Sequence, residues 1–160
     1  MKREHWISGT AIFFLLLFFC QGLYLVYWHN QAFDEPIHVI SGILCWRTGT
    51  FQGGIDNPPF LQLLFGLPYK LGLDSYNMVS FDRPIGARVV NVLVGFLLCA
   101  AVGLFSYRVH GRLGGLLSLF LITFSPTVVA HSSIATLDVG IALFIVLGMW
   151  CIYEGRASDT

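Results

Sequence analysis

The stretch Ile7–Trp28, ISGTAIFFLLLFFCQGLYLVYW, contains no charged residue. At about 1.5 Å per residue a helix of this length covers roughly 33 Å, enough to cross the hydrocarbon core of a bilayer. Tyr24, Tyr27 and Trp28 lie at its end, where aromatic side chains suit the membrane interface. No small-residue cleavage site follows them, so the pattern predicts a retained transmembrane helix and not a signal peptide.

The composition extends this prediction to the whole chain. Of the 160 residues, 56% are hydrophobic and only 11% are charged, whereas a soluble domain carries about a quarter charged residues. The mean hydropathy is +0.72, and the charges lie between long apolar stretches. The formal net charge is zero and there is no Lys/Arg run, so we expect no nucleic-acid partner.

Three further apolar stretches predict three more membrane helices. The four predicted spans are 7–28, 87–107, 112–130 and 134–153, the last being extended back from 139 because 139–153 alone is short for a crossing. A polar turn with Arg108 and Arg112 joins the second span to the third, and basic residues cluster on its side. The positive-inside rule therefore places this turn, both termini and the tail 154–160 in the cytoplasm. The predicted fold class is an all-α integral membrane protein with four transmembrane helices.

Residues 29–86 form a long predicted outer loop. Apolar residues at helical spacing predict one helix at about 34–47, and a second apolar segment at about 58–72 is too short to cross a membrane. We interpret both as amphipathic interfacial helices that form a roof over a cavity at the outer membrane face.

Two carboxylates at that outer face are candidate catalytic residues. Asp34 precedes Pro36 and Asp138 opens the fourth span, so each could equally be a helix N-cap, with Thr136 competing for the second position. In the functional interpretation, a carboxylate facing a cavity acts as a general base, and two that converge could share acid and base roles or bind a metal.

Neighbouring residues extend the candidate site. Asp34, Glu35 and His38 superficially resemble a metal cluster, but the zinc-protease motif requires His at its first position. We expect His38 to hydrogen-bond within the roof or to contact substrate. Arg88 lies at the outer end of the second span, where it either reaches lipid head groups or holds the phosphate of a lipid-linked substrate.

Several short motifs together resemble one known family. In chain order they are Phe33-Asp-Glu-Pro-Ile-His38, Ser41-Gly42, Asn57-Pro-Pro-Phe60, Arg88-Val-Val-Asn91, Gly111-Arg-Leu-Gly114, Ser125-Pro126, Ala130-His131 and Ala135-Thr-Leu-Asp138-Val-Gly140. Their order and the predicted topology resemble the N-terminal portion of the dolichyl-phosphate-mannose–protein mannosyltransferase-like enzymes, glycosyltransferase family 39. The resemblance covers the chain from about residue 8 to 153.

The resemblance implies a GT-C fold and an inverting sugar transfer from a polyprenyl-phosphate donor to an acceptor at the outer face of the membrane. An outward-facing site indicates a plasma (inner) membrane or an ER-type membrane, and we expect the plasma membrane. Asp34 would be the base and Asp138 a second active-site carboxylate. The expected substrate-binding residues are Glu35, His38, Asn57, Arg88 and His131. The resemblance leaves open whether Asp34 and Asp138 bind a divalent cation, Mg²⁺ or Mn²⁺.

The chain also departs from that family. Gly140 stands where the family usually has Pro, and family members have many more helices than four. We therefore expect another membrane subunit to supply the missing helices; the alternative is a non-catalytic scaffold subunit that packs against a partner complex. A transporter is disfavoured because the middle of each predicted span lacks an ionisable residue.

Overall fold

The computed structural model describes residues 2–51, 57–76 and 83–158, with side chains from Ser8 to Arg156. The regular elements of these residues are α-helices: α1 (Lys2–Trp28), α2 (Glu35–Thr48), α3 (Pro59–Lys70), α4 (Ile85–Thr123), α5 (Pro126–Ser132) and α6 (Asp138–Ser158). The all-helical class predicted from the sequence is confirmed for the described part of the chain.

Three of these helices are long and apolar enough to cross a membrane. They contain the segments Ser8–Trp28, Ile85–Thr123 and Asp138–Arg156. Only 17% of the most apolar window of α1, and the same share of that of α6, is buried inside the protein. The remaining apolar surface faces outward, which is the arrangement that a hydrocarbon solvent favours.

Helix α4 reverses direction at Gly111. This residue has φ 72° and ψ −166°, which no α-helix accommodates. The hydroxyls of Ser106 and Ser118 lie 2.8 Å apart, and a Cβ added at Gly103 would stand 2.5 Å from the Leu119 side chain. The two halves of α4 therefore pack side by side, and the turn falls within the polar stretch 108–112.

The chain beyond this turn differs from the predicted spans in two places. The region predicted as a continuous span at 112–130 is interrupted at Phe124 and Ser125, after which Pro126 starts α5. The span predicted from 134 begins instead at Asp138, because the Ala135 N–H is donated to the Glu35 carboxylate and not to a helical carbonyl. At its C-terminal end α6 is longer than predicted, because it continues to Ser158, past the predicted start of the tail at 154.

Helix α4 is the centre of the packing. It contacts α1, α3, α5 and α6, while α2 packs mainly on α3. The larger core cluster joins the loop helices to the bundle through buried apolar residues that include Val39, Leu61, Phe65, Leu98 and Leu137. The two helices of the predicted outer loop are therefore part of the same core as the long helices.

Asp74 fixes the end of the outer loop to the start of α4. Its carboxylate accepts hydrogen bonds from the Ser75 N–H at 2.7 Å and from the Gly86 N–H at 2.6 Å. The second bond satisfies one of the free N–H groups of the first helical turn. Burial and the neighbouring Asp74 carboxylate raise the pKa of Tyr69.

Helices α2 and α3 cross at a pair of glycines. A Cβ added at Gly42 would overlap the carbonyl oxygen of Gln62, and one added at Gly66 would overlap the backbone of Gly42. Because the obstacles are backbone atoms, neither helix can make room by changing a rotamer.

We therefore expect Gly42→Ala to separate α2 from α3 and to lower the free energy of unfolding by about 1–3 kcal/mol. The measurement is the thermal unfolding midpoint of the detergent-purified protein. Gly148→Ala in α6 is the matched control, because a Cβ there has no neighbour within 4 Å. Equal unfolding midpoints for the two variants would contradict the close crossing.

Candidate functional site

A fully buried ion pair joins Arg88 to Glu35. Both side chains have 0% exposure. The Arg88 Nε donates to Glu35 Oε1 at 2.8 Å, and Nη2 donates to Oε2 at 2.7 Å. This two-pronged geometry is the strongest that a guanidinium and a carboxylate adopt.

The remaining Arg88 donors hold the end of α1. Nη1 donates to the carbonyl oxygens of Val26 and His29, both at 2.9 Å, and Nη2 donates to that of Asn30 at 3.0 Å. A guanidinium has five N–H groups, and all five have protein acceptors here. Arg88 thus supplies donors to carbonyls that the end of a helix leaves unpaired.

Glu35 has a similarly complete set of partners. Besides Arg88, its carboxylate accepts the N–H of Ala32 at 2.9 Å and that of Ala135 at 2.7 Å. The pair therefore ties together four parts of the chain: the end of α1, the start of α2, the first turn of α4 and the link before α6.

This arrangement does not fit the substrate-binding roles expected for Arg88 and Glu35. The guanidinium has no N–H group left for a phosphate, whether of a substrate or of a lipid head group. The sequence pattern did not predict that these two residues pair, because they lie 53 positions apart and no local pattern links them.

Asp34 is left exposed beside this anchored pair. It occupies the N-cap position of α2, but its side chain makes no capping hydrogen bond. Its side chain is 52% exposed, and Oδ2 lies 3.7 Å from Nε2 of the buried His38. The Nδ1 of His38 has no partner among the described residues. The capping alternative is therefore not realised by the Asp34 carboxylate, which remains accessible.

Asp138 forms a dyad with His131. Its Oδ2 lies 3.0 Å from His131 Nδ1, and the two side chains are 64% and 44% exposed. Both line an open pocket of about 190 Å³ whose other walls are mainly apolar, including Leu98 and Val139. Thr136, the competing cap, is buried and its hydroxyl has no partner in the described part of the chain.

The link that carries His131 and Asp138 is pinned to the same end of the bundle as Asp34. Asn91 donates to the carbonyls of His131 at 2.9 Å and Ile134 at 2.5 Å, and Ser133 Oγ lies 2.7 Å from His29 Nδ1. Asn91 was not predicted as a site residue. A polar residue one turn after Arg88 in an apolar helix could have indicated its role, because an unpaired polar group is costly there.

The remaining candidates are less closely connected. Asn57 is half-buried just before α3. No group of three or more His, Cys, Asp or Glu side chains is placed to hold a metal ion within those residues.

The buried pair predicts a large effect on stability. We expect Arg88→Met to cost about 3–5 kcal/mol of unfolding free energy, because it leaves the Glu35 carboxylate buried without its partner. The measurement is again the thermal unfolding midpoint in detergent.

Arg108→Gln is the control, since it breaks the exposed pair between Arg108 and Glu154 and such pairs contribute little. The double variant Arg88→Met with Glu35→Gln should recover part of the loss. A midpoint for Arg88→Met equal to that of the control would contradict the structural role of the pair.

Comparison with known proteins gives one match. No curated protein and no solved structure matches the chain. The family model described as Dolichyl-phosphate-mannose-protein mannosyltransferase matches residues 57–160, more than half of the chain. The matched region includes Arg88, His131 and Asp138, whereas Asp34 and Glu35 precede it. The chain therefore belongs to the dolichyl-phosphate-mannose–protein mannosyltransferase family.

Proposed function

We propose that this chain forms part of a membrane glycosyltransferase that transfers a sugar from a polyprenyl-phosphate donor to an acceptor hydroxyl, with Asp34 as the base. The family supports the class of reaction. The observation that carries the assignment to Asp34 is its exposed carboxylate, which makes no capping hydrogen bond. The next residue, Glu35, is fixed in the buried ion pair with Arg88.

This placement suits a general base. The Glu35 side chain is immobilised by Arg88, Ala32 and Ala135, so the backbone that carries Asp34 is fixed. A base whose backbone is fixed loses less conformational entropy when it is positioned against the acceptor hydroxyl. In the proposed single displacement, the acceptor oxygen bonds to the anomeric carbon as the carbon–oxygen bond to phosphate breaks, and the acceptor proton passes to Asp34.

The His131–Asp138 dyad is proposed to contact the leaving phosphate. A phosphate leaves with the electron pair of the broken bond and is stabilised by nearby positive charge or hydrogen-bond donors. Arg88 has no donor left for this task, whereas the imidazolium form of His131 would donate Nδ1–H to Asp138 and Nε2–H to the phosphate. The apolar walls of the adjoining pocket suit the start of a polyprenyl chain.

The topology is proposed to have four membrane crossings. The reversal of α4 at Gly111 supports a second and a third crossing within that element, the latter continued by α5. Both termini would face the cytoplasm and the acids the outer side of the plasma (inner) membrane, as the distribution of basic residues favours.

A scaffold role remains the second candidate, and one observation favours it. The pocket beside Asp138 is about 190 Å³, whereas small-molecule sites commonly occupy about 300–1,000 Å³. A complete donor site would then require walls from another membrane subunit or from further helices.

The test is sugar transfer from a polyprenyl-phosphate donor by the protein purified with its membrane partners. We expect Asp34→Asn to lower the rate by about 10²–10⁴-fold, the usual contribution of a general base. Asp138→Asn should also lower the rate, because His131 loses the group that orients it. Both side chains are exposed, so the unfolding midpoint should stay close to that of the wild type.

Glu154→Gln is the control, since Glu154 pairs with Arg108 at the opposite end of the bundle. Transfer that persists in Asp34→Asn would reject Asp34 as the base. A well-folded wild-type preparation that shows no transfer while its partners are present would favour the scaffold.

A further inference from the structure

A buried imidazole lies beside the candidate base, and the proposed reaction gives it no role. Asp34 has helical backbone angles and His38 follows it by four residues, so the two side chains lie on the same face of α2. Nε2 of His38 lies 3.7 Å from Oδ2 of Asp34. The His38 side chain is 7% exposed and that of Asp34 is 52% exposed. The pair therefore joins a packed ring to a carboxylate that is open to solvent.

Packing fixes the imidazole, and the imidazole can in turn fix the carboxylate. His38 lies one turn before Gly42, where the backbones of α2 and α3 are in contact, and close packing leaves a buried ring few alternative rotamers. The Asp34 carboxylate makes no capping hydrogen bond, so the fixed backbone at Glu35 alone does not determine where its oxygens point. The contact with His38 can set that orientation.

The carboxylate also determines which imidazole nitrogen carries the proton. An ionised carboxylate only accepts hydrogen bonds, so a neutral imidazole that pairs with it carries its N–H on Nε2 and its lone pair on Nδ1. If Nε2–H holds Oδ2 of Asp34, then Oδ1 is left for the acceptor hydroxyl. A separation of 3.7 Å is longer than a hydrogen bond, but catalytic hydrogen bonds are often long before substrate binds.

We propose that His38 is a positioning residue, whose Nε2–H holds Oδ2 of Asp34 so that Oδ1 receives the acceptor proton. This inference rests on the proposed role of Asp34 as the base, and it replaces the substrate-binding role expected for His38. The imidazole keeps its own proton throughout. The acceptor proton passes to Oδ1 as the acceptor oxygen bonds to the anomeric carbon and the bond from that carbon to the phosphate oxygen breaks.

The first experiment measures kcat and the acceptor KM for His38→Gln and His38→Asn, in the protein purified with its membrane partners. The amide nitrogen of Gln can reach the position of Nε2, whereas that of the shorter Asn reaches only the position of Nδ1. We expect His38→Asn to lower kcat by about 10–100-fold with little change in KM, because a small misplacement of a reacting group costs up to about 10²-fold. His38→Gln should keep most of the wild-type kcat.

Val39→Ala is the control for packing, since Val39 is fully buried next to His38 in the same helix. It should lower the unfolding midpoint and leave kcat unchanged. Equal losses of kcat in His38→Gln and His38→Asn would overturn the inference, and so would a higher acceptor KM with unchanged kcat, the result expected of a substrate contact. Transfer that is lost in Asp34→Asn but kept in His38→Asn would reject this inference alone, whereas transfer that persists in Asp34→Asn would reject the proposed base.

A second measurement does not depend on sugar transfer and serves if His38→Asn does not fold. Two-bond ¹H–¹⁵N spectra of protein labelled with ¹⁵N-histidine report which nitrogen of each of the five imidazoles is protonated, and the His38 signal is the one missing from His38→Gln. We expect a proton on Nε2 in the wild type and a changed His38 signal in Asp34→Ala, but not in Glu154→Gln. A ring without a proton on Nε2, or a His38 signal that Asp34→Ala leaves unchanged, would overturn the inference.

Discussion

The contact on which this structure depends is the buried pair between Arg88 and Glu35. In hydrocarbon every backbone group must find a partner within the protein, and the end of a membrane helix leaves carbonyl oxygens unpaired. At the end of α1, Arg88 donates hydrogen bonds to the carbonyl oxygens of Val26, His29 and Asn30. The charge that this introduces must itself be compensated, and Glu35 compensates it from the start of α2.

The same pair determines where the candidate catalytic groups lie. Glu35 reaches across to Ala135, so the link before α6 cannot continue the helix backward and α6 begins at Asp138. Asp34 and Asp138 are both connected to the buried Glu35 carboxylate. Asp34 directly precedes Glu35 in the chain, and Asp138 follows Ala135, whose N–H is donated to Glu35. Both remain exposed because the network uses the backbone and the Glu35 side chain, and not their own carboxylates.

The parts of this arrangement that arise from local patterns could be predicted from the sequence. Apolar runs indicated the long helices, the polar stretch 108–112 contains the reversal at Gly111, and the motifs around Phe33–His38 and Ala135–Asp138 indicated the family. What could not be predicted depends on contacts between distant positions. The start of α6 is set by Glu35, a hundred residues earlier, and the role of Arg88 is set by carbonyls near residue 28. Hydrophobic periodicity reports which face of a helix is apolar, but not which polar group pairs with which.

The two ends of the helices differ in how their polar groups are held. At the Arg88 end, the buried Arg88–Glu35 pair has hydrogen-bond partners for all its donors and for both carboxylate oxygens, and it holds the backbone next to Asp34 and the His131–Asp138 dyad. At the Gly111 end, the chain turns through a glycine with an exposed backbone, and small residues such as Ala11 and Ala100 leave space between the helices. A rigid polar network suits chemistry that needs fixed groups.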